Sequence, residues 1–187
     1  MNETELWLWL AGGLGACVNW TGLLEQYGSV EAIWEERLYL LKEKHITARQ
    51  SDRLLSFSLQ DAQRRRELHE SRDIRILTWA DPDYPAQLRS ISTPPAVLYV
   101  RGDVRCLQNQ LLIGVVGTRH PSAYGLEATR QICDGLAEGG AVLVSGLAEG
   151  LDSEATRPHC GTTPTPLRCL APILTLSFPP ATVRCRS

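Results

Sequence analysis

The chain has 187 residues, with 19 basic and 21 acidic side chains and a formal net charge of −2. Hydrophobic residues make up 43% and charged residues 21%, which is ordinary globular usage and excludes a collagen, a coiled coil and a wholly disordered chain. Every apolar run is shorter than the ~18 residues that a membrane span needs. The first run follows Glu3 and Glu5 rather than the basic residues of a signal peptide, so we expect a cytoplasmic protein of one or two domains.

Residues 3–70 predict a small domain of four or five short helices, because Leu, Glu, Gln and Arg dominate and strand-type alternation is absent. The turn Gly13-Leu14-Gly15 is similar to that of a helix-hairpin-helix, whose second helix approaches a DNA phosphate with its first N–H groups. No Lys or Arg follows this turn, so a packing turn is the simpler interpretation. Arg64-Arg65-Arg66 is interpreted as a solvated helix face. Helix breaks are predicted at Gly12-Gly13, Gly15, Asn19 and Gly28.

The pattern changes to α/β after residue 70. Residues 74–77 and 96–100 read as strands, separated by the turn signature Asp81-Pro82-Asp83-Tyr84-Pro85. The apolar runs 111–116 and 141–144 predict strands covered on both faces, and residues 122–138 between them predict an amphipathic helix. This order is typical of a βαβ unit, so residues 71–156 predict part of a Rossmann-like, doubly wound parallel sheet.

Two loops follow the carboxyl ends of these strands, residues 117–122 and residues 145–150, where doubly wound sheets bind their ligands. Each loop combines glycines, a hydroxyl and a helix N-terminus, which together suit an anion. Arg119 adds a bidentate fork for phosphate, and His120 adds a donor or a stacking surface. The predicted site comprises Gly117, Thr118, Arg119, His120, Ser122, Ser145 and Gly146.

Several other kinds of site lack their signatures. The chain has no G-x-G-x-x-G, no G-x-x-x-x-G-K-[ST] and no G-x-S-x-G, so we predict neither a nucleotide cofactor nor a nucleophile elbow. No cysteine pair has CxxC spacing, so no metal site is predicted, and Cys17 and Cys133 are interpreted as small buried hydrophobes. Asp152 is interpreted as a residue that caps or orients its loop rather than a catalytic acid.

The stretch IGVVGTRHPSAYGLEATRQICDGLAEGGAVLVSGLAEGLDSEA, residues 113–155, resembles the DNA-processing protein A family, DprA, also called Smf. The family pattern is a strand, G-[ST]-R, P-S-x-Y-G, a helix, a strand and S-G-[LG]-A-x-G-[IL]-D, and all of it is present. The upstream D-P-x-Y-P and P-P-x-L-Y-x-x-G segments also fit over residues 81–102. The N-terminal helices look like the sterile-alpha-motif-like domain of the family, so the resemblance covers about residues 1–155.

The resemblance implies a protein that binds single-stranded DNA, protects incoming DNA and loads the recombinase RecA during natural transformation. It implies a homodimer, no enzymatic reaction, and neither cofactor nor membrane. Carried over by motif, the DNA pocket would use Gly117, Thr118 and Arg119 with Ser145 and Gly146. Some members have a basic residue where this chain has Glu149, which we expect to weaken that side of the site.

Residues 157–187 depart from the pattern, with six of the eleven prolines, three of the six cysteines, four Arg and no Lys, Asp or Glu. We interpret this tail as poorly ordered and the switch near Thr156 as a frame change that removes later strands and the dimer surface. Two alternatives stay open. One is a Rossmann-like nucleotide phosphoribohydrolase, although its G-G-x-G-T-x-x-E loop is absent; the other is a helical interaction module followed by a non-functional fragment.

Overall fold

The computed structural model describes residues 2–15, 20–39, 46–108 and 111–157 with their side chains, and residues 168–170 and 182–186 as backbone strands. The chain divides into two compact units, Met1–Leu98 and Tyr99–Ser187, called unit one and unit two below. The sequence pattern changes at about residue 71, whereas unit one continues to Leu98, so the helices share their unit with the first strand.

Within its described residues, unit one is built from short capped helices followed by a strand. Asn2, Ser29, Thr47 and Ser58 each accept a backbone N–H of the helix that follows, which explains where these helices begin. The elements are α1 (Glu3–Leu14), α2 (Thr21–Tyr27), α3 (Val30–Glu35), α4 (Ala48–Ser56), α5 (Leu59–Glu70), β1 (Arg75–Thr78) and α6 (Ala86–Arg89).

The predicted helix break at Gly12-Gly13 is wrong, because α1 continues through both glycines to Leu14. A Cβ on Gly12 would lie 2.8 Å from Phe57 Cε1, and one on Gly13 would lie 2.8 Å from Leu54 Cα. The two glycines therefore permit close approach of α1 and α4 instead of ending a helix. The start of the predicted hairpin's second helix, residues 16–19, lies outside the described residues, and α2 begins at Thr21.

A chain of aromatic rings joins the helices of unit one to its later segments. Edge-to-face pairs link Trp7 to Trp20 at 5.4 Å, Trp20 to Trp79 at 5.1 Å and Trp79 to Tyr84 at 5.3 Å. The Trp20 indole donates to the carbonyl of Pro94 (2.7 Å). The Tyr84 hydroxyl donates to Pro95 O (2.7 Å), and burial raises the pKa of this hydroxyl above its ordinary value.

The arginines of α5 contact neighbouring side chains. Arg66 pairs with Glu5 at 3.1 Å and with Glu70 at 2.8 Å, and these hydrogen bonds raise the pKa of its guanidinium. Arg65 lies over the Phe57 ring, 4.8 Å from its centroid. The solvated face predicted for the triplet therefore holds for Arg64, which is exposed, whereas Arg65 and Arg66 are half-buried.

Unit two contains a mixed sheet. β2 (Val97–Arg101) begins in unit one beside β1, and its last three residues pair in unit two. From β2 onward the order is β2-β6-β5-β4-β3, with β3 (Leu112–Val115), β4 (Val142–Ser145), β5 (Arg168–Leu170) and β6 (Thr182–Arg186). β3, β4 and β5 are parallel, whereas β6 is antiparallel to β5 and parallel to β2.

The predicted βαβ unit is present as β3, α7 (Ala123–Glu138) and β4. α7 and α8 (Leu151–Ala155) supply Cys133, Ala137 and Ala155 to one buried cluster with Leu143. Ile113 and Val115 of β3 pack against the same cluster, so both helices cover one face of the sheet.

The prediction that strand 111–116 is covered on both faces is wrong. Among the described strands, β3 is the last in the sheet, with β4 as its only neighbour. Gly114 is exposed with no atom within 4 Å of its would-be Cβ, and the Val116 side chain is 87% exposed. An apolar run alone does not distinguish a strand buried on both faces from an edge strand with one bare face.

The interpretation of residues 157–187 as a poorly ordered tail without the later strands predicts an unpaired edge for β4, but this edge pairs with β5. β5 and β6 both lie in that segment. Each is short enough to avoid proline, because β5 lies between Pro166 and Pro172 and β6 follows Pro180. The other residues of that segment beyond Arg157 lie outside the described residues, and so does the expectation about their order.

Candidate nucleic-acid interface

The first predicted loop leads from β3 into the long helix α7. Ser122 is the N-cap of α7, and its Oγ accepts the N–H of Gly125 at 3.1 Å. His120 N–H is likewise satisfied within the loop, by Thr118 Oγ1 at 3.2 Å. Ser122 therefore begins the helix and its hydroxyl already has a partner.

The end of the second predicted loop and the start of α8 contact the backbone of the first loop. Leu151 N–H donates to the carbonyl of Thr118 at 3.2 Å, and Gly117 N–H donates to Asp152 Oδ1 at 3.0 Å. Gly150 has a φ of +93°, and a Cβ there would overlap Thr118 O and lie 2.8 Å from Arg119 Cα. The start of α8 thus packs directly against the backbone of the first loop.

The Gly117 N–H was expected among the donors for an anion, but Asp152 accepts it instead. The accessible groups of the first loop are the side chains of Thr118, Arg119 and His120, which are all exposed. Within the residues that the structure describes, Arg119 makes no ion pair and its guanidinium has no hydrogen-bond partner. A permanent cation therefore projects from a loop whose backbone is fixed from behind.

The second loop begins at the buried end of β4. Ser145 is 3% exposed, and its Oγ has no hydrogen-bond partner within the described part of the chain. Gly146 is half-buried, and Glu149 is exposed. Leu147 has a φ of +59°, a left-handed conformation that costs a residue with a side chain roughly 1–2 kcal/mol.

Sequence analysis missed an ion-pair network behind these loops. Glu154 is 4% exposed, and its carboxylate accepts from Arg130 at 2.8 Å and from Arg157 at 3.4 Å. The hydrogen bond that Arg130 donates to Glu154 raises the pKa of the Arg130 guanidinium. Arg130 lies in the part of the family pattern that is given only as a helix, and Glu154 and Arg157 follow the last residue of that pattern, so the pattern gave no signal of this network.

The part of the chain that the structure describes contains neither a metal site nor a helix that could span a membrane. In the described ranges, no group of three or more His, Cys, Asp or Glu side chains is placed to hold a metal ion. No helix in the same ranges is both long enough and apolar enough to cross a membrane.

A model of the family described as DNA recombination-mediator protein A matches residues 75–179, which is more than half of the chain. The chain belongs to this family. The match begins at β1, spans both loops and runs beyond residue 155, so it includes part of the tail that the sequence pattern set apart.

Curated relatives carry the names Smf and DprA. The chain is 39% identical to Protein Smf of Synechocystis over 117 residues, which cover 61% of this chain and 29% of that protein. It is 39% identical to DNA processing protein DprA of Bacillus subtilis over 84 residues, covering 45% and 28%. Protein Smf of Escherichia coli is 28% identical over 162 residues, covering 83% and 41%. The chain thus spans less than half the length of these relatives.

Two solved structures are similar to the chain. One is DNA processing protein A from Helicobacter pylori, from a study of its single-stranded DNA binding mode, with 34% identity, a TM-score of 0.39, and coverage of 44% of this chain and 37% of that one. The other is DprA from Streptococcus pneumoniae, with 21% identity, a TM-score of 0.47, and coverage of 83% and 53%.

Proposed function

We propose that this chain binds the backbone of single-stranded DNA at the carboxyl edge of β3 and β4, through the loops 117–122 and 145–150. The observation that carries the proposal is Arg119, an exposed guanidinium with no ion pair in the described residues, on a loop held by the start of α8. A fork-shaped cation on a fixed support suits a phosphate diester, because the fork can bind two phosphate oxygens and little loop freedom is lost on binding.

Of the remaining predicted residues, some would contact DNA in this proposal and others support the loop. Thr118 and His120 are exposed beside Arg119 and supply a hydroxyl and an imidazole to the same strand of DNA. Ser145 is buried without a partner in the described residues, and an unsatisfied buried hydroxyl costs about 1–3 kcal/mol, so a phosphate oxygen reaching between the loops would relieve it. Gly146, which has no side chain, would let the backbone of the second loop approach the same phosphate. Gly117 and Ser122 support the loop backbone.

The wider role follows from family membership and belongs to the proposal. The chain would hold incoming single strands in the cytoplasm and pass them to RecA during natural transformation, as a binding protein and not an enzyme. RecA is its proposed protein partner, whereas the dimer surface of the family is expected to be missing from this chain. The family match favours this role over a phosphoribohydrolase, whose carboxylate loop has no counterpart in the sequence.

Charge reversal at two glutamates tests the location of the site. Glu149→Lys should tighten binding of a labelled oligothymidylate at low salt, since it replaces a repulsive charge beside Arg119, and the gain should shrink as salt screens it. Glu138→Lys makes the same charge change at the far end of α7 and is the control. Equal gains from the two variants would show nonspecific attraction and contradict a site at these loops.

A further inference from the structure

We propose that Asp152 is a positioning residue for DNA binding, whose side chain fixes the backbone of the Gly117–Arg119 loop and thereby sets where the Arg119 guanidinium meets a phosphate. This inference rests on the proposed function. Asp152 itself is 3% exposed, so it acts on DNA through the loop and not by contact.

The geometry ties two consecutive residues of one segment, Gly117 and Thr118, to two of the other, Leu151 and Asp152. Asp152 Oδ1 accepts the N–H of Gly117 at 3.0 Å across 35 residues of sequence. Leu151 N–H donates to Thr118 O at 3.2 Å, and a Cβ on Gly117 would lie 2.6 Å from Leu151 Cβ. The bond to Asp152 is the side-chain member of this set, so it can be removed without changing the backbone of either segment.

The same carboxylate can also act through its charge, and the two effects have opposite signs. A negative charge behind the loop repels a phosphate, so charge alone makes Asp152 unfavourable for DNA binding. A hydrogen bond that holds the loop in its binding conformation makes Asp152 favourable, because a loop that is competent only part of the time binds proportionally more weakly. Asparagine separates these effects, since it keeps an oxygen acceptor at Oδ1 and removes the charge.

The experiment compares Asp152→Asn and Asp152→Ala in the full chain, by fluorescence anisotropy with a labelled oligothymidylate. If the released loop adopts the binding conformation about a tenth of the time, Asp152→Ala weakens binding about tenfold, whereas Asp152→Asn stays within about twofold of the wild type. Asp152→Ser, whose hydroxyl is too short to reach Gly117, replaces the alanine variant if that one does not fold. Leu136→Ala removes apolar contacts with the buried cluster that α7 and α8 form against β4, and it controls for loss of stability alone.

A double-mutant comparison with Arg119→Ala distinguishes positioning of Arg119 from a general structural role of Asp152. If Asp152 acts by positioning Arg119, Asp152→Ala costs little further affinity in an Arg119→Ala background, because the group being positioned is gone. The Gly117 amide should also exchange faster with solvent in Asp152→Ala than in Asp152→Asn.

Three results overturn the inference. They are tighter binding by both Asp152 variants, equal losses for Asp152→Ala and Leu136→Ala, and full additivity with Arg119→Ala. A different result separates failure of the proposed function: if Arg119→Ala alone leaves DNA binding unchanged, the loops do not form the DNA site and the inference fails with it. If Arg119→Ala weakens binding while Asp152→Ala does not, only the positioning role is refuted.

Discussion

Substitution of Gly150 tests whether the contact between the two loops is as close as the structure has it. Its φ of +93° lies in a region that side chains rarely adopt, and such strain costs about 1–3 kcal/mol. A Cβ there would also overlap Thr118 O and lie within 3 Å of two Arg119 backbone atoms, at 2.8 and 2.9 Å. Neither neighbour is the flexible end of a side chain. Gly150→Ala should therefore destabilise this part of unit two by about 3 kcal/mol, a large share of a typical stability of about 5–15 kcal/mol.

The matched control is Gly135→Ala, an exposed position within α7 where a Cβ would meet nothing within 4 Å. The same chemical change there should stabilise the helix by about 0.5–1 kcal/mol. All five tryptophans lie in unit one, so fluorescence does not report on this region, and hydrogen exchange of peptides covering residues 112–119 and 145–152 is the required assay. If Gly150→Ala exchanges no faster than the wild type, the two loops do not touch as described.

Three further variants follow from other contacts. Leu147→Gly relieves left-handed strain of about 1–2 kcal/mol but adds about 0.5–1 kcal/mol of backbone entropy cost. We therefore expect a small net gain in unfolding free energy, seen as slower hydrogen exchange of residues 145–152. Glu154→Ala removes the buried partner of Arg130 and should lower the unfolding free energy by about 2 kcal/mol in the same assay. Glu127→Ala removes an exposed partner of Arg130 and should lower it by less than about 1 kcal/mol. Burial raises the pKa of Tyr84 above its ordinary value of 10.0, so the contribution of this hydroxyl to stability is complete below about pH 10 and is lost as the pH rises further. Urea unfolding followed by tryptophan fluorescence should show this alkaline loss of stability in the wild type and a smaller loss in Tyr84→Phe.

Local signals in the sequence located the elements around the site well. The helix predicted over residues 122–138 and the apolar strand predicted over 141–144 are short-range features, and the structure has both within one residue of the predicted bounds. The juxtaposition of the two loops also follows from the sequence, because parallel strands bring their carboxyl ends to one edge. These features depend on residues close together in the chain.

The features that sequence analysis predicted wrongly or missed depend on contacts with residues far away in the chain. Gly12 and Gly13 read as a break, but Leu54 and Phe57, some forty residues later, make them close-packing positions within α1. Strand 111–116 has the composition of a covered strand, and only the strand order places it at the end of the described sheet. Glu154 pairs with Arg130, which lies 24 residues earlier in the chain, and periodicity within one helix or strand cannot predict a pair at that separation.

Arginine 119 provides the most direct test of the central claim that these loops bind the DNA backbone. Binding of a labelled oligothymidylate is measured against salt concentration for the wild type, Arg119→Ala and Arg105→Ala, an exposed arginine of unit two that pairs with Asp103 at 2.7 Å. Because one phosphate contact is lost, Arg119→Ala should bind every oligonucleotide sequence more weakly than the wild type, and its slope of log affinity against log salt should be about 0.7 smaller. Arg105→Ala should keep the wild-type slope. A folded Arg119→Ala protein with wild-type affinity and slope would contradict the account.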